Sequence, residues 1–258
     1  MKILFIGDIV GKGGRNTVGA VLGGILKKYK PDFVVANAEN LTHGNGFSPE
    51  HIDKMMELGI HFFTSGNHVW ENMKGAKKLD EKGYPVIRPE NYPAGTPGRG
   101  WDIVNGVLVI NLIGQAFMHS HYDNPFLAVD KILENVKGKK YAASFVDFHA
   151  ETTSEEYAMG YYLDGRVSAV LGTHTHVPTK DFRVMDKGTA FISDVGMVGS
   201  LDSIIGVKRE SVMQRFLTQR PAKHEPEDEG KMWFNAVIFE VNEKTGLSKS
   251  IEHIQKIL

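Results

Sequence analysis

The sequence contains no cysteine. Disulfides, thiolate metal sites and a cysteine nucleophile are therefore excluded, and any metal ion has to be held through oxygen and nitrogen. No run of about 18 apolar residues is present to span a bilayer. The opening stretch, Met1-Lys2-Ile3-Leu4-Phe5-Ile6-Gly7-Asp8, meets a charge too soon to hold the apolar segment of a signal peptide. The expectation is a soluble cytoplasmic protein. Long runs of Lys or Arg are missing too: 30 basic residues stand against 31 acidic ones, for a formal net charge of −1. A dedicated nucleic-acid binder usually carries a basic stripe, so no DNA-binding surface is expected. A small anionic substrate stays compatible, because bound metal ions can supply positive charge locally.

What the chain does have is enough apolar material for a sizeable core. It has 258 residues, of which 41% are hydrophobic and 24% charged. That length is near the upper end of what one core serves, so one domain over residues 1–258 is expected, with two small ones as the alternative.

The first third alternates strand and helix. Residues 2–7 and 32–38 are short apolar runs, and residues 60–65 make a third. A glycine-rich turn at 11–14 precedes Val18, Val21, Leu22, Ile25 and Leu26 at helical spacing, and Pro31 stops that helix. Ser48-Pro49-Glu50 reads as a helix start with proline in the first turn. Further strands are expected at 84–88, 101–104, 107–113, 141–148, 166–172, 182–185 and 189–193, with helices near 125–137, 153–163 and 208–218. Residues 233–241 and 248–255 read as a hairpin closed by a turn at 242–246. Ahead of that hairpin, residues 219–231 are polar with two prolines, and are expected to form an exposed excursion, a lid or a docking loop.

Alternating strands and helices point to an α/β fold with a parallel sheet, and the strand-rich later half to a second sheet. Ligands of such folds gather at the carboxyl ends of the strands. Those ends carry Asp8, then Glu39-Asn40, Asn67-His68, His149, and finally His174-Thr175-His176. Five separate strand ends deliver only carboxylates, carboxamides and imidazoles. Two divalent ions about 3.5–4 Å apart can clamp a phosphoryl group and activate water. A carboxylate can bridge them, Asn ligates without adding charge, and His favours first-row transition metals.

The ordered set Asp8, Glu39, Gly66-Asn67-His68, His149 and Gly172-Thr173-His174-Thr175-His176 resembles the calcineurin-like metallophosphoesterase superfamily. Gly7-Asp8-Ile9-Val10-Gly11, Asn37-Ala38-Glu39-Asn40, Gly66-Asn67-His68-Val69-Trp70 and Asp194-Val195-Gly196-Met197-Val198-Gly199 are similar to its YmdB-like bacterial branch. The resemblance implies an α/β sandwich of two sheets flanked by helices, and phosphodiesterase activity on small substrates such as 2′,3′-cyclic nucleotides. It further implies two divalent or mixed-valence first-row metals, with Fe or Mn ahead of Zn or Ni. Val10 stands where the wider superfamily has a ligating histidine, and Glu39 where it has a bridging Asp. In this branch Asn40 fills the gap. Asp8, Glu39, Asn40 and His176 are then expected at one ion, and Glu39, Asn67, His149 and His174 at the other. His68 is cast as the general acid that protonates the leaving alkoxide; the alternative is a residue that orients Asn67 or water.

Arg15 in the glycine-rich turn and His43 after Glu39 are weaker candidates for substrate contact. His119 and His121 are expected on a surface loop, and His51, His61, His224 and His253 as structural or solvated residues. Two other functions stay open: a phosphomonoesterase on nucleotides or sugar phosphates, and a regulator that binds RNA or protein and uses metals structurally. Self-association is also open.

Overall fold

The computed structural model describes residues 1–258. The chain begins with three short strands, β1 (Lys2–Ile6), β2 (Phe33–Asn37) and β3 (Phe62–Thr64), joined by helices α1 (Gly11–Tyr29) and α2 (Pro49–Glu57). β1 pairs with β2, and β2 with β3, in parallel. Every residue of β2 is buried, as a parallel strand covered on both faces requires. Ser48 caps α2 by accepting from the His51 N–H, and Pro49 takes a first-turn position where its missing N–H costs nothing.

A short helix α3 (Met73–Ala76) leads into the second sheet: β4 (Trp101–Val104), β5 (Val107–Ile113), β6 (Ala143–His149), β7 (Ala169–Thr173), β8 (Arg183–Val184) and β9 (Ala190–Ile192). Its order is β4-β5-β6-β7-β9-β8, parallel in the middle and antiparallel at both edges. Helices α4 (Pro125–Asn135) and α5 (Thr153–Leu163) connect its central strands. The chain then returns to the first sheet with β10 (Gly199–Ser200), α6 (Arg209–Thr218), β11 (Met232–Asn242) and β12 (Leu247–Ile257). β11 pairs antiparallel with β1, with β10 and with β12.

The two sheets face each other. Ile3, Phe5, Val237 and Phe239 from the first pack on Val109, Phe145, Leu171 and Ile192 from the second. Phe145 meets Phe5 edge-on at 5.7 Å and Phe239 at 5.9 Å between ring centroids. α1 and α2 cover the outer face of the first sheet, and α4 and α5 that of the second. This is the two-sheet α/β sandwich flanked by helices. No helix is long and apolar enough to cross a membrane.

Four local readings change. Residues 11–14 are the first turn of α1 rather than a turn before it, because Asp228 caps the Gly13 N–H at 2.6 Å from far along the chain. Residues 84–88 make a single bridge, Phe63 to Val86, instead of a strand, since Pro85 has no N–H to give a ladder. The short α3 and β10 were not anticipated. The closing hairpin forms, but it extends the first sheet.

Phe145 joins sheet to sheet, so Phe145→Ala should cost about 3–5 kcal/mol in urea unfolding. A loss below about 1 kcal/mol would mean that the sheets are held together elsewhere.

Candidate metal centre

Strand direction assembles the centre. Asp8 follows β1, Glu39 and Asn40 follow β2, Asn67 and His68 follow β3, His149 ends β6, and His174 and His176 follow β7. His149 Nε2 lies 3.2 Å from Asn67 Oδ1, 3.5 Å from Glu39 Oε1 and 3.1 Å from His174 Nδ1. Asn40 Oδ1 is 3.1 Å from His176 Nε2. Asp8 Oδ2 accepts the His174 backbone N–H at 3.3 Å, and its Oδ1 stands 3.9 Å from His149 Nδ1. The structure thus groups Asp8, Glu39, Asn67, His149 and His174, pairs Asn40 with His176, and sets His68 beside Glu39.

The outer nitrogen of each histidine ring is already engaged as a donor. His176 Nδ1 faces the Ile205 carbonyl at 2.7 Å, and a carbonyl only accepts. His174 Nε2 lies 3.1 Å from Glu151 Oε2. Thr173 gives its hydroxyl proton to Asp147 at 2.7 Å, so at 2.9 Å it accepts from His149 Nδ1. Asn37 also donates to Asp147, at 2.9 Å. Each ring is therefore oriented by a partner outside the cluster, as metal-ligating histidines are. The inner nitrogens turn lone pairs toward one another and toward carboxylates.

That arrangement fits a cation. Asp8 Oδ1 and Glu39 Oε2 are buried without a hydrogen-bond partner, a costly state for carboxylate oxygens left alone. Ligands about 2.1 Å from one octahedral ion lie about 3 Å from each other, close to the separations seen here. No three His, Cys, Asp or Glu side chains form a metal site by themselves. Gly66 leaves the room: a Cβ there would meet His149 Nε2 at 2.3 Å and Glu39 Oε2 at 2.7 Å.

His68 is about a third exposed, and its Nδ1 is paired with Glu71 Oε1 at 2.5 Å. Its Nε2 faces Glu39 Oε1 at 3.9 Å, and its backbone N–H donates to the same oxygen at 2.9 Å. The loop that carries His174 and His176 is bent hard, with φ of 106° and 68° at those residues. Asp194 pins it between them, accepting Thr175 N at 2.9 Å and Thr175 Oγ1 at 2.8 Å.

Sequence reasoning missed Glu71, Glu151, and Thr173 and Asp147 as supports of His149. Asp147 was visible as a carboxylate inside the apolar run of β6; Glu71 and Glu151 look like ordinary surface acids. The weaker candidates fall outside the cluster. Arg15 donates to the Leu41 carbonyl, His43 is exposed beside His51, His51 pairs with Thr42, and His119 and His121 are exposed. His224 is exposed, as expected of a solvated residue. The 219–231 segment lies against the centre's loops. Pro226 bridges to Val207 and sits beside Gly44 and Gly11.

The profile of the YmdB-like protein family matches residues 4–254. The chain belongs to that family. A relative from Bacillus subtilis (strain 168), the 2′,3′-cyclic-nucleotide 2′-phosphodiesterase, is 42% identical over 98% of this chain and 96% of its own length. A solved structure from Mycoplasma pneumoniae, described as a novel phosphatase, is 34% identical with a TM-score of 0.91, covering 100% of this chain and 93% of that one. The 5′-nucleotidase precursor of Thermus thermophilus shares the fold at 13% identity, with a TM-score of 0.56 over 99% of this chain and 54% of that one. This YmdB-like chain is a hydrolase, with the calcineurin-like sandwich expected of it.

Gly66→Ala should fold but lose at least about 10²-fold in hydrolysis, because the added methyl displaces His149 or Glu39. Activity near wild type would show that the cluster tolerates their movement.

Burial disfavours a charge on His149, but Glu39, Asp8 and Asp147 outweigh it and raise the ring to about 9. Burial, then the His149 charge, pushes His174 down to about 3. In metal-free protein the proton on His149 thus stabilises the fold. That contribution is complete below the ordinary value of 6.5 and is lost as pH rises through about 9. Thermal melts of metal-stripped protein should show a midpoint falling from about pH 7 to about pH 9. A flat or rising midpoint would show that His149 holds no such proton.

Proposed function

We propose that this chain is a dinuclear-metal phosphodiesterase that hydrolyses small phosphodiesters such as 2′,3′-cyclic nucleotides. The observation that carries the reading is the donor set itself: three histidine nitrogens turned inward beside two buried carboxylate oxygens that have no partner. The name of the Bacillus subtilis relative supports the diester substrate.

Asp8, Glu39, Asn40 and His176 would hold one ion, and Glu39, Asn67, His149 and His174 the other. The 3.1 Å approach of Asn40 to His176, and the grouping of Asn67 and His174 around His149, support this division. Oxygen and nitrogen donors without thiolate suit Fe or Mn, and also admit Zn or Ni. Bound there, such ions supply Lewis-acid charge to the phosphoryl oxygens and lower the pKa of the attacking water. Glu39, with one oxygen toward His149 and the other unpartnered, would serve both sites. His68 supplies the proton. Glu71 occupies Nδ1, so the proton available to the leaving ribose oxygen is the one at Nε2, on the cluster side of the ring.

Replacing His68 with Ala should lower kcat on a 2′,3′-cyclic nucleotide by about 10²–10⁴. A nitrophenyl diester needs little protonation, so its loss should be much smaller, with metal content equal in both proteins. Equal losses on the two substrates would remove His68 from the acid's role. A wild type that hydrolyses phosphomonoesters but no diester would sink the substrate assignment.

A further inference from the structure

A cleft of about 360 Å³ opens between α6 and residues 222–224. It falls in the size range of small-molecule sites, about 300–1,000 Å³. Ile205, Val207, Val212 and Phe216 line it, with Ser211, Arg215, Lys223 and His224 as its polar edge. α6 buries none of its residues, and Phe216 is 74% exposed. Phe216 and Ile205 thus stand open, while Val207 is buried.

One contact ties the cleft to the centre. Ile205, which lines it, accepts the His176 ring N–H on its carbonyl at 2.7 Å. It does so from a left-handed conformation, φ 47°, that a β-branched residue adopts only under strain. The cleft therefore adjoins a proposed metal ligand.

We propose that this cleft binds the heterocyclic base of a nucleotide whose phosphodiester lies in the centre, which rests on the phosphodiesterase reading. The occupant has to be flat, largely apolar on its faces and polar at its edges. Phe216 offers an aromatic face on which any base can stack, and Arg215 a planar cation beside it. Arg215 and His224 can meet the hydrogen-bonding edge. Stacking on Phe216 suits every base, so the cleft selects for a base over none rather than for one base over another.

Adenosine carries a base without the phosphodiester, so it tests the cleft apart from the reaction. Binding followed by NMR should be seen with wild type and be about 5- to 100-fold weaker in Phe216→Ala and in Val212→Asp. In parallel, kcat/KM is measured for 2′,3′-cyclic AMP and for glycerol 1,2-cyclic phosphate, which has the strained diester and no base. The ratio of the two should fall by a similar factor in each variant, mainly through KM, with metal content and thermal midpoint unchanged. Adenosine binding that is absent, or equal in wild type and variants, overturns the proposal. So do parallel losses on both diesters, and if the variants also change size by light scattering, the α6 face is a contact between copies. Should wild type cleave neither diester yet bind adenosine through Phe216, the phosphodiesterase reading fails and the base site stands.

Discussion

The structure depends on one electrostatic constraint. Three imidazole nitrogens present their lone pairs inward, two of them 3.1 Å apart, next to two buried carboxylate oxygens with no donor. Lone pairs at that distance repel unless a cation lies between them, and uncompensated buried charge is expensive. In the metal-free chain a single proton on His149 answers part of this demand. The proposed metal ions would answer all of it. Each feature around the cluster serves to hold the donors in place: the ring partners Thr173, Glu151 and Ile205, the absent side chain at Gly66, and the aromatic joint at Phe145.

Holding donors this way costs backbone strain. His174, His176 and Ile205 all have positive φ, which costs about 1–3 kcal/mol at each non-glycine position. The compensation is local. Asp194 receives two bonds from Thr175 and a third from the Gly196 N–H at 2.6 Å. Ile205 sits in a tight turn where Ile204 and Val207 exchange backbone hydrogen bonds. The bend lets two histidines two residues apart point into one cluster, though neither lies in a strand.

Much of this was legible in the sequence, and the reason is topological. A parallel strand ends abruptly, and the residue after it lies at the edge where ligands collect. Asp8, Glu39, Asn67, His149 and His174 each follow or close a short apolar run, so their convergence could be read from spacing and order. What escaped was set by partners distant in sequence. Gly11 to Gly14 look like a turn until Asp228 caps them. The closing hairpin does not announce that β11 will lie against β1, more than 200 residues away. Glu71 is an exposed acid whose role comes only from the ring it touches.

If the cleft beside α6 holds a base, charge accounts for its largely apolar lining. A chain with a net charge of −1 and an acid-rich floor cannot draw in a phosphodiester by itself. Asp8, Glu39, Asp147 and Asp194 are all buried at this end of the sandwich. On the proposed function, metal charge answers the phosphate, and the surrounding protein has no need of a basic groove. Binding energy for the rest of the substrate then has to come from surfaces that do not compete for the ions. Carboxylates there would add to the floor's repulsion, and a dense set of lysines would weaken metal binding by like charge. Apolar and aromatic side chains do neither. The exposed face of α6 beside the centre is therefore consistent with the chain's neutral charge rather than at odds with it.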